Sequence, residues 1–479
     1  MNNHVKEKIK SIVGAKNFLD SVEDKLCYSY DATPIYNQLP EAVVFPENEE
    51  QISKILKLAN EELFNIVPRG SGTGLSGGSI PVSNSLVVVM TRWNKIIEID
   101  DKNLTASVQP GVITGQLQKE VEKLGLFYPP DPGSLNVCTI GGNVANNAGG
   151  LRGLKYGVTK NYVLGVEMIL PNGELLKTGG KNYKDTAGYN LRDFIVGSEG
   201  TLGVITKILL KLIPVPSKFI TLIAYFDKLS DSAKAVADII SAHITPSMLE
   251  FLDNTTINCV EDFTHIGLPI NADAILLIEV DGRGSAVEED AEAITNILKK
   301  NSASFVHSAG TELEAYKLKS ARRSAFSALA RKRPTTILED ATVPRSELPV
   351  MIEKVMQASR KFDVTFGNFG HAGDGNLHPT CLTDERDNAE INRALKAFDF
   401  IFNEAIKLGG TITGEHGTGL SKKEFLELAV GIPAVDMMKK IKLSIDENNI
   451  LNPGKIFSIS PRCEGSLPLS RDQIKDYVS

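Results

Sequence analysis

Cysteine is scarce and scattered. The 479-residue chain has five, Cys27, Cys138, Cys259, Cys381 and Cys463, and no two lie close in sequence. That spacing excludes a CxxC zinc site and an iron–sulfur ladder, and it fits a reduced, cytosolic chain. Long apolar runs are missing as well. None reaches the roughly 18 residues needed to span a bilayer, and the opening MNNHVKEKIKSIVG has no apolar core of a secretory signal. Membrane contact is therefore expected to be peripheral at most. Basic excess is lacking too. The formal net charge is −7, without the basic stripe of a nucleic-acid binder. The length corresponds to about three domains, enough chain for large cores.

Glycine is plentiful and clustered. Residues 68–78 read PRGSGTGLSGG. Gly70, Gly72 and Gly74 alternate with Ser71 and Thr73, so no Cβ blocks the loop and successive N–H groups can face one concavity. Ser71, Thr73 and Ser76 add hydroxyl donors. Leu75 stands where GxGxxG needs its third glycine, and no P-loop lysine follows. A phosphate-bearing ligand is expected, on neither of those folds. A second block, residues 129–157, holds Gly141-Gly142-Asn143 and Asn146-Asn147-Ala148-Gly149-Gly150. Between them a helical turn is expected to offer its N-terminal N–H groups to an anion. A third, VGSEGTLGVIT at 196–206, adds Gly197, Gly200 and Gly203 before a strand. Three such clusters suggest one extended ligand wrapped by several segments.

Periodicity places a helix at 49–63, with Ile52, Ile55, Leu56, Ala59 and Leu63 on one face. Strands follow at 65–68, 86–90, 96–99 and 105–108, then a helix at 115–124. Residues 1–37 read as a helical arm and loop. Pro214-Val215-Pro216 marks a domain boundary. Beyond it, strands at 219–226, 247–252, 274–281 and 304–308 alternate with helices at 230–242 and 285–300. That β-α-β, β-α-β order is ferredoxin-like. A long amphipathic helix is expected at 385–408, and the tail after Pro461 reads as irregular.

Two late runs carry chemistry. In GNFGHAGDGNLHPT, His371 and His378 bracket a Gly-Asp-Gly-Asn turn. If the turn folds the chain back, the imidazoles converge. GTITGEHGTG, at 410–419, supplies Glu415 and His416. Two histidines and a carboxylate form a common open-site ligand set for a divalent ion. Three of the seven histidines lie in these two runs, which concentrates the chain's titratable chemistry there.

The glycine blocks resemble the flavin domain of the vanillyl-alcohol-oxidase and p-cresol-methylhydroxylase (PCMH) superfamily. HAGDGNLH and GEHG resemble signatures of its FAD-linked D-lactate dehydrogenase and glycolate oxidase D-subunit branch, and the likeness covers about residues 40–457. It implies an α+β fold with a two-subdomain PCMH-type FAD-binding domain at 38–215, completed by 450–479. A ferredoxin-like α+β cap (substrate) domain with a C-terminal helical segment would span 216–449, after an N-terminal arm at 1–37. FAD would be extended along Pro68, Arg69, Gly70, Ser71, Gly72, Thr73, Gly74, Leu75 and Ser76. It would also meet Pro132, Gly133, Ser134, Gly141, Gly142, Asn143, Asn146, Ala148, Gly149 and Gly150, then Glu199, Gly200, Gly203, Ile205 and Asn452. Some relatives attach FAD through a histidine in the first loop. Thr73 stands there, so non-covalent FAD is expected, with Cys138 a small packing residue.

The same resemblance implies that His371, His378 and Glu415 bind a divalent metal, zinc or manganese or iron. His416 would take the proton from a substrate hydroxyl, a role its ordinary pKa of about 6.5 suits. The ARRSAF stretch resembles the family's R-K-x-A-F segment, making Arg322 the fork that clamps a carboxylate. Arg323 and Lys319 are expected as solvated helix charges. The run Asn452-Pro453-Gly454-Lys455-Ile456-Phe457 matches a family motif where Asn452 or Lys455 reaches the flavin. A turn that closes the fold is the alternative.

The implied activity is oxidation of a short D-2-hydroxy acid, D-lactate or glycolate, to the 2-oxo acid, with hydride passed to flavin N5. Members acting on 2-hydroxyglutarate carry a lysine near the strand that here reads Ile337-Leu338-Glu339-Asp340. Glu339 and Asp340 are expected to repel a second carboxylate. The alternatives are a D-2-hydroxyglutarate dehydrogenase, an alkyl-glycerone-phosphate-synthase-like flavin transferase and a non-catalytic flavin subunit. The intact HAGDGNLH and GEHG runs favour the dehydrogenase. Without iron–sulfur cysteines or a nicotinamide fingerprint, electrons must pass to an electron-transferring flavoprotein, an iron–sulfur subunit or a membrane quinone. No nucleic-acid partner is expected, a homo-dimer is allowed, and the location is cytoplasmic.

Overall fold

A computed structural model describes residues 1–459. The tail expected as irregular after Pro461, and the part of the flavin domain expected at 460–479, lie outside the described residues. The first sheet has the order β1 (Phe18–Leu19), β2 (Ala42–Val44), β4 (Ser85–Val89) and β3 (Asn65–Arg69), with β2, β4 and β3 mutually parallel. The buried face of helix Glu49–Glu62, led by Ile52, Ile55 and Leu56, packs in the same core as Val5, Ile9 and Val13 of helix Asn3–Val13. Residues 1–37 therefore contribute an edge strand and a packing helix to this subdomain. Ala32 also donates its N–H to Gly74 O in the glycine loop. The helix itself ends in left-handed Leu63 and is capped at its start by Asn48, as its sequence requires.

The second sheet is antiparallel, in the order β5 (Ile96–Asp100), β6 (Thr105–Val108), β10 (Val204–Lys211), β8 (Val163–Ile169) and β9 (Leu175–Gly179). Strand β10 alternates buried and half-buried residues, the pattern of a sheet covered on one side. A short pair, β7 (Leu126–Phe127) with β11 (Ile213–Pro214), leads to the cap.

The cap sheet is built of β12 (Lys218–Phe226), β13 (Met248–Asp253), β14 (Ala274–Gly282), β15 (Phe305–Ser308), β16 (Thr335–Leu338), β17 (Ala341–Thr342), β18 (Thr365–His371) and β19 (Asn376–Thr383). Their order is β15-β12-β14-β13-β18-β19-β16, with β17 on β19. Its first four strands have ferredoxin-like order. Helices Leu229–Ser241, Ala286–Lys300, Leu348–Phe362 and Asn388–Lys407 bury their apolar stripes in one core with the sheet. Helices Asn254–Thr264 and Ala325–Ala330 share a second core with Leu151 of the flavin domain. That second core is the one facing the flavin domain, so the strand residues pointing to it form the roof of the space between the two. No helix among the described residues is long and apolar enough to cross a membrane.

Candidate active site

A cavity of about 710 Å³ lies between the flavin domain and the cap. All three glycine blocks line it, and so do His371, His378, Glu415, His416 and Arg322. Of the residues expected at FAD, Ser76, Gly149, Gly150 and Asn452 do not line it, whereas the others do. Each exception has another task. Ser76 Oγ donates to His416 O at 2.9 Å. A Cβ on Gly149 would sit 2.5 Å from Glu415 Oε2, and one on Gly150 would meet the Asp131 backbone. Asn452 Nδ2 donates to Gly78 O at 2.8 Å and to Glu199 O at 2.7 Å. Lys455 does not line the cavity either, and its Nζ reaches Ile80 O. The NPGKIF run begins where the Asn452 N–H donates to Ile66 O of β3.

The anion cradle also differs from expectation. Helix Ile140–Asn146 does follow the Gly141-Gly142 pair, but its first N–H groups are already taken. Ile140, Gly141 and Asn143 donate to Val112 O, Pro110 O and Thr139 O, and Gly142 donates to Thr139 Oγ1. The first glycine loop is the open one. Among the described residues, the N–H groups of Gly72, Thr73, Gly74 and Leu75 donate to no other part of the chain. Sequence reasoning missed Tyr30, Asp31, Met90 and Cys138 as cavity-lining residues. Cys138 is buried, with its thiol pushed up by burial and its Sγ 3.3 Å from Thr114 Oγ1.

The histidines converge because of one hairpin. β18 pairs with β19 in the register Phe369↔His378 and His371↔Asn376, so both imidazoles project to the same face. Gly375 makes the turn at φ 78°, where a Cβ would meet Val343 O. The rings of His371 and His378 lie 5.0 Å apart. Glu415 Oε1 stands 3.0 Å from His371 Nε2 and 3.3 Å from His378 Nε2. These three ligand atoms lie within 4.8 Å of one another, a donor set that fits zinc, manganese or iron. Burial would raise the Glu415 carboxyl, but His371 and His378 hold it well below the ordinary range. Burial would lower His371, but Glu250 and Glu415 hold it well above. His371 Nδ1 meets Glu250 Oε1 at 2.7 Å, the outer carboxylate that fixes a ligand imidazole in other metal sites. His416 stacks on His378 at 5.0 Å between ring centroids. Burial brings it down to about 4, against the pull of Asp340, so it is a neutral acceptor at neutral pH. A second triad, Asp340, His378 and His416, has its facing atoms within the same limit. The Lys422 ammonium, 3.9 Å from Asp340 Oδ2, opposes a cation there.

Arg322 lines the cavity as expected, whereas Arg323 and Lys319 are not the solvated charges expected. Arg322 is 5% exposed and ion-pairs with Glu250 Oε2 at 2.5 Å, so it is no surface charge. Neither is Arg323, which lines the cavity and ties the cap to buried Asp131 of the flavin domain at 3.0 Å. Lys319 pairs with Glu279 at 2.5 Å. Glu339 and Asp340 do not line the cavity, whereas Leu338 beside them does. Asp340 is engaged with the GEHG loop, and Glu339 stands 3.5 Å from Lys422. Neither is placed to repel a second carboxylate. Both lie past the last residue of β16, where the chain leaves the strand.

Family models match both halves. FAD binding domain matches residues 40–179, and FAD linked oxidases, C-terminal domain, matches residues 215–456. The glycolate oxidase subunit GlcD of Bacillus subtilis is 53% identical over 458 residues, 96% of this chain and 97% of that protein. A D-lactate dehydrogenase of Anaerostipes hadrus is 34% identical over 94% of this chain and 96% of its own. The solved p-cresol methylhydroxylase, 19% identical, superposes with a TM-score of 0.77 over 95% of this chain and 97% of that one, which shows the PCMH-type fold. The chain belongs to the FAD-linked oxidase family that includes the glycolate oxidase subunit GlcD and D-lactate dehydrogenase.

Proposed function

We propose that the protein oxidises a short D-2-hydroxy acid, glycolate or D-lactate, to the 2-oxo acid. One observation carries this: His371, His378, Glu415, His416 and Arg322 share a cavity with the glycine segments of an FAD binding domain. Bound FAD supplies the two-electron acceptor that alcohol oxidation requires. A bound divalent ion supplies Lewis acidity toward the hydroxyl oxygen. The residues that would hold the ion are His371, His378 and Glu415. Their fit is supported by Glu250, whose carboxylate accepts the Nδ1–H of His371, so that a cation between Nε2 and Glu415 would take the place of the Nε2 proton.

Arg322 orients the carboxylate with a guanidinium held over the Phe369 ring, 4.8 Å from its centroid. Arg322 lines the cavity, and its planar guanidinium suits a carboxylate. His416, neutral in its buried pocket, takes the hydroxyl proton. Leu338, Phe369 and Leu151 surround these groups with apolar surface, which favours a short substrate and excludes water. FAD is held without a covalent bond, since Thr73 offers no imidazole and the Cys138 thiol is held protonated by burial. The four described cysteines are free and far from forming a cluster, and GlcD relatives are named as subunits. Electrons therefore leave to a separate acceptor, an iron–sulfur or flavin partner chain or a quinone, with the protein on the cytoplasmic side.

The test is an anaerobic visible spectrum with D-lactate, L-lactate, glycolate and D-2-hydroxyglutarate added in turn. Glycolate or D-lactate is expected to bleach the oxidised flavin band, and a chelator to abolish the bleaching. A flavin band that no hydroxy acid bleaches, even after metal is restored, overturns the reaction while leaving the fold.

A further inference from the structure

Strand β13 carries a charge in an unlikely place for one. Glu250 is 0% exposed in the middle of an antiparallel sheet, where an apolar strand former packs without the cost of burying a carboxylate. It does not line the cavity. Its register partner across β18 is His371. Oε1 meets His371 Nδ1 at 2.7 Å, and Oε2 meets Arg322 Nη2 at 2.5 Å. One carboxylate thus touches two site residues with different tasks. Asp340, the other buried carboxylate near the histidines, instead spends its Oδ2 on a loop backbone.

We propose that Glu250 is a positioning residue that couples the divalent-ion site to the carboxylate-binding arginine, an inference that rests on the function proposed above. An anionic acceptor at Nδ1 fixes the His371 tautomer and strengthens its Nε2 as a ligand. The second oxygen anchors Arg322 from outside the cavity lining. Held by this ion pair, the guanidinium stays over the Phe369 ring. Because its two oxygens touch both side chains, a change at Glu250 displaces ligand and clamp together. A residue serving the sheet alone would affect neither ion affinity nor substrate affinity once the fold is retained.

The test compares flavin-loaded wild type with Glu250→Gln. Zinc affinity is read by competition with a chromophoric chelator, and KM and kcat are read with the hydroxy acid that bleaches the wild-type flavin. The glutamine chain is expected to keep its flavin band, to bind zinc about 10–100-fold more weakly, and to show a raised KM. Glu250→Asp keeps the charge but withdraws both oxygens by one methylene. It is expected to shift both readouts in the same direction, and it carries the test if the glutamine chain does not fold. Variants that retain flavin with unchanged zinc affinity and unchanged KM overturn the role of Glu250 alone. A wild type that binds no divalent ion overturns this inference together with the ion site proposed above.

Discussion

Asp340 Oδ2 accepts the backbone N–H of His416 at 3.1 Å. The same oxygen accepts the N–H of Gly414 at 2.7 Å, that of Glu415 at 3.0 Å, and Thr413 Oγ1 at 2.8 Å. A single fully buried carboxylate thereby sets the shape of the loop that carries both a proposed ligand and the proposed base. Asp340→Ala would strand these donors and leave Lys422 buried beside a void. The expected loss is about 3–5 kcal/mol of stability, read by urea unfolding. Single-turnover flavin reduction is expected to slow by about 100-fold as the loop shifts. Asp340→Asn keeps an acceptor and should lose less of both. An alanine variant with wild-type stability would show that the loop holds itself.

Asn452 was expected at the flavin, but its amide bridges two carbonyls, Gly78 O and Glu199 O, under the glycine loop. Asn452→Ala leaves both acceptors buried without their donor. Each such group costs about 1–3 kcal/mol, so the flavin domain should lose roughly 2–5 kcal/mol while KM for the hydroxy acid stays unchanged. A raised KM at wild-type stability would restore Asn452 to the site.

What the sequence made legible is the local part. Strand β6 spans the residues its pattern assigns, and helix Glu49–Glu62 ends within one residue of its expected limit. The HAGDGNLH turn and its histidines were readable because turn residues announce themselves. Glu250 was not, since a lone glutamate in MLEFLD has no local signature and its partner His371 lies 121 residues on. Asp340 was read as a free charge because its nest is made by a loop more than 70 residues away. The Gly141-Gly142 block was read as an N–H donor because sequence does not reveal that Pro110 and Val112 already occupy those groups. Helix Leu348–Phe362 was missed despite a clear signal, with Leu348, Met351, Ile352 and Val355 on its buried stripe.

Glu199 gives a pH prediction. Burial pushes its carboxyl up to about 7, against the Thr418 and Gly419 N–H groups that favour the ionised form. In the unfolded chain it titrates near the ordinary value of about 4.3. Between these values the folded chain binds the extra proton, so stability is fully present at the acid end and falls as pH rises through the window. The drop attributable to this residue is about 4 kcal/mol. Glu199→Gln mimics the protonated acid and should flatten the slope between about pH 5 and about pH 8, measured by urea midpoints. A slope that survives the substitution places its origin elsewhere.

Gly149 lies against a proposed ligand with no room for a side chain. A Cβ there would stand 2.5 Å from Glu415 Oε2 and 3.4 Å from its Cβ. The carboxylate is the movable partner, so Gly149→Ala should displace Glu415 without unfolding the domain. The expected result is a retained flavin band with zinc affinity lowered by about 10-fold or more, read by chelator competition. Unchanged affinity would mean that Glu415 is not a ligand.

His416 and the ligands are separable by distance. Its Nε2 lies 3.9 Å from Glu415 Oε1, against 3.0 and 3.3 Å for His371 and His378. His416→Ala should therefore keep zinc and flavin at wild-type levels and leave KM nearly unchanged. Loss of a positioned base should lower the rate of flavin reduction by about 10²–10⁴-fold. His371→Ala should do the reverse in the binding assay, with zinc lost first and activity following. If His416→Ala loses zinc in step with activity, His416 is a ligand and the proton goes to another group. If its reduction rate is that of wild type, His416 is not the base.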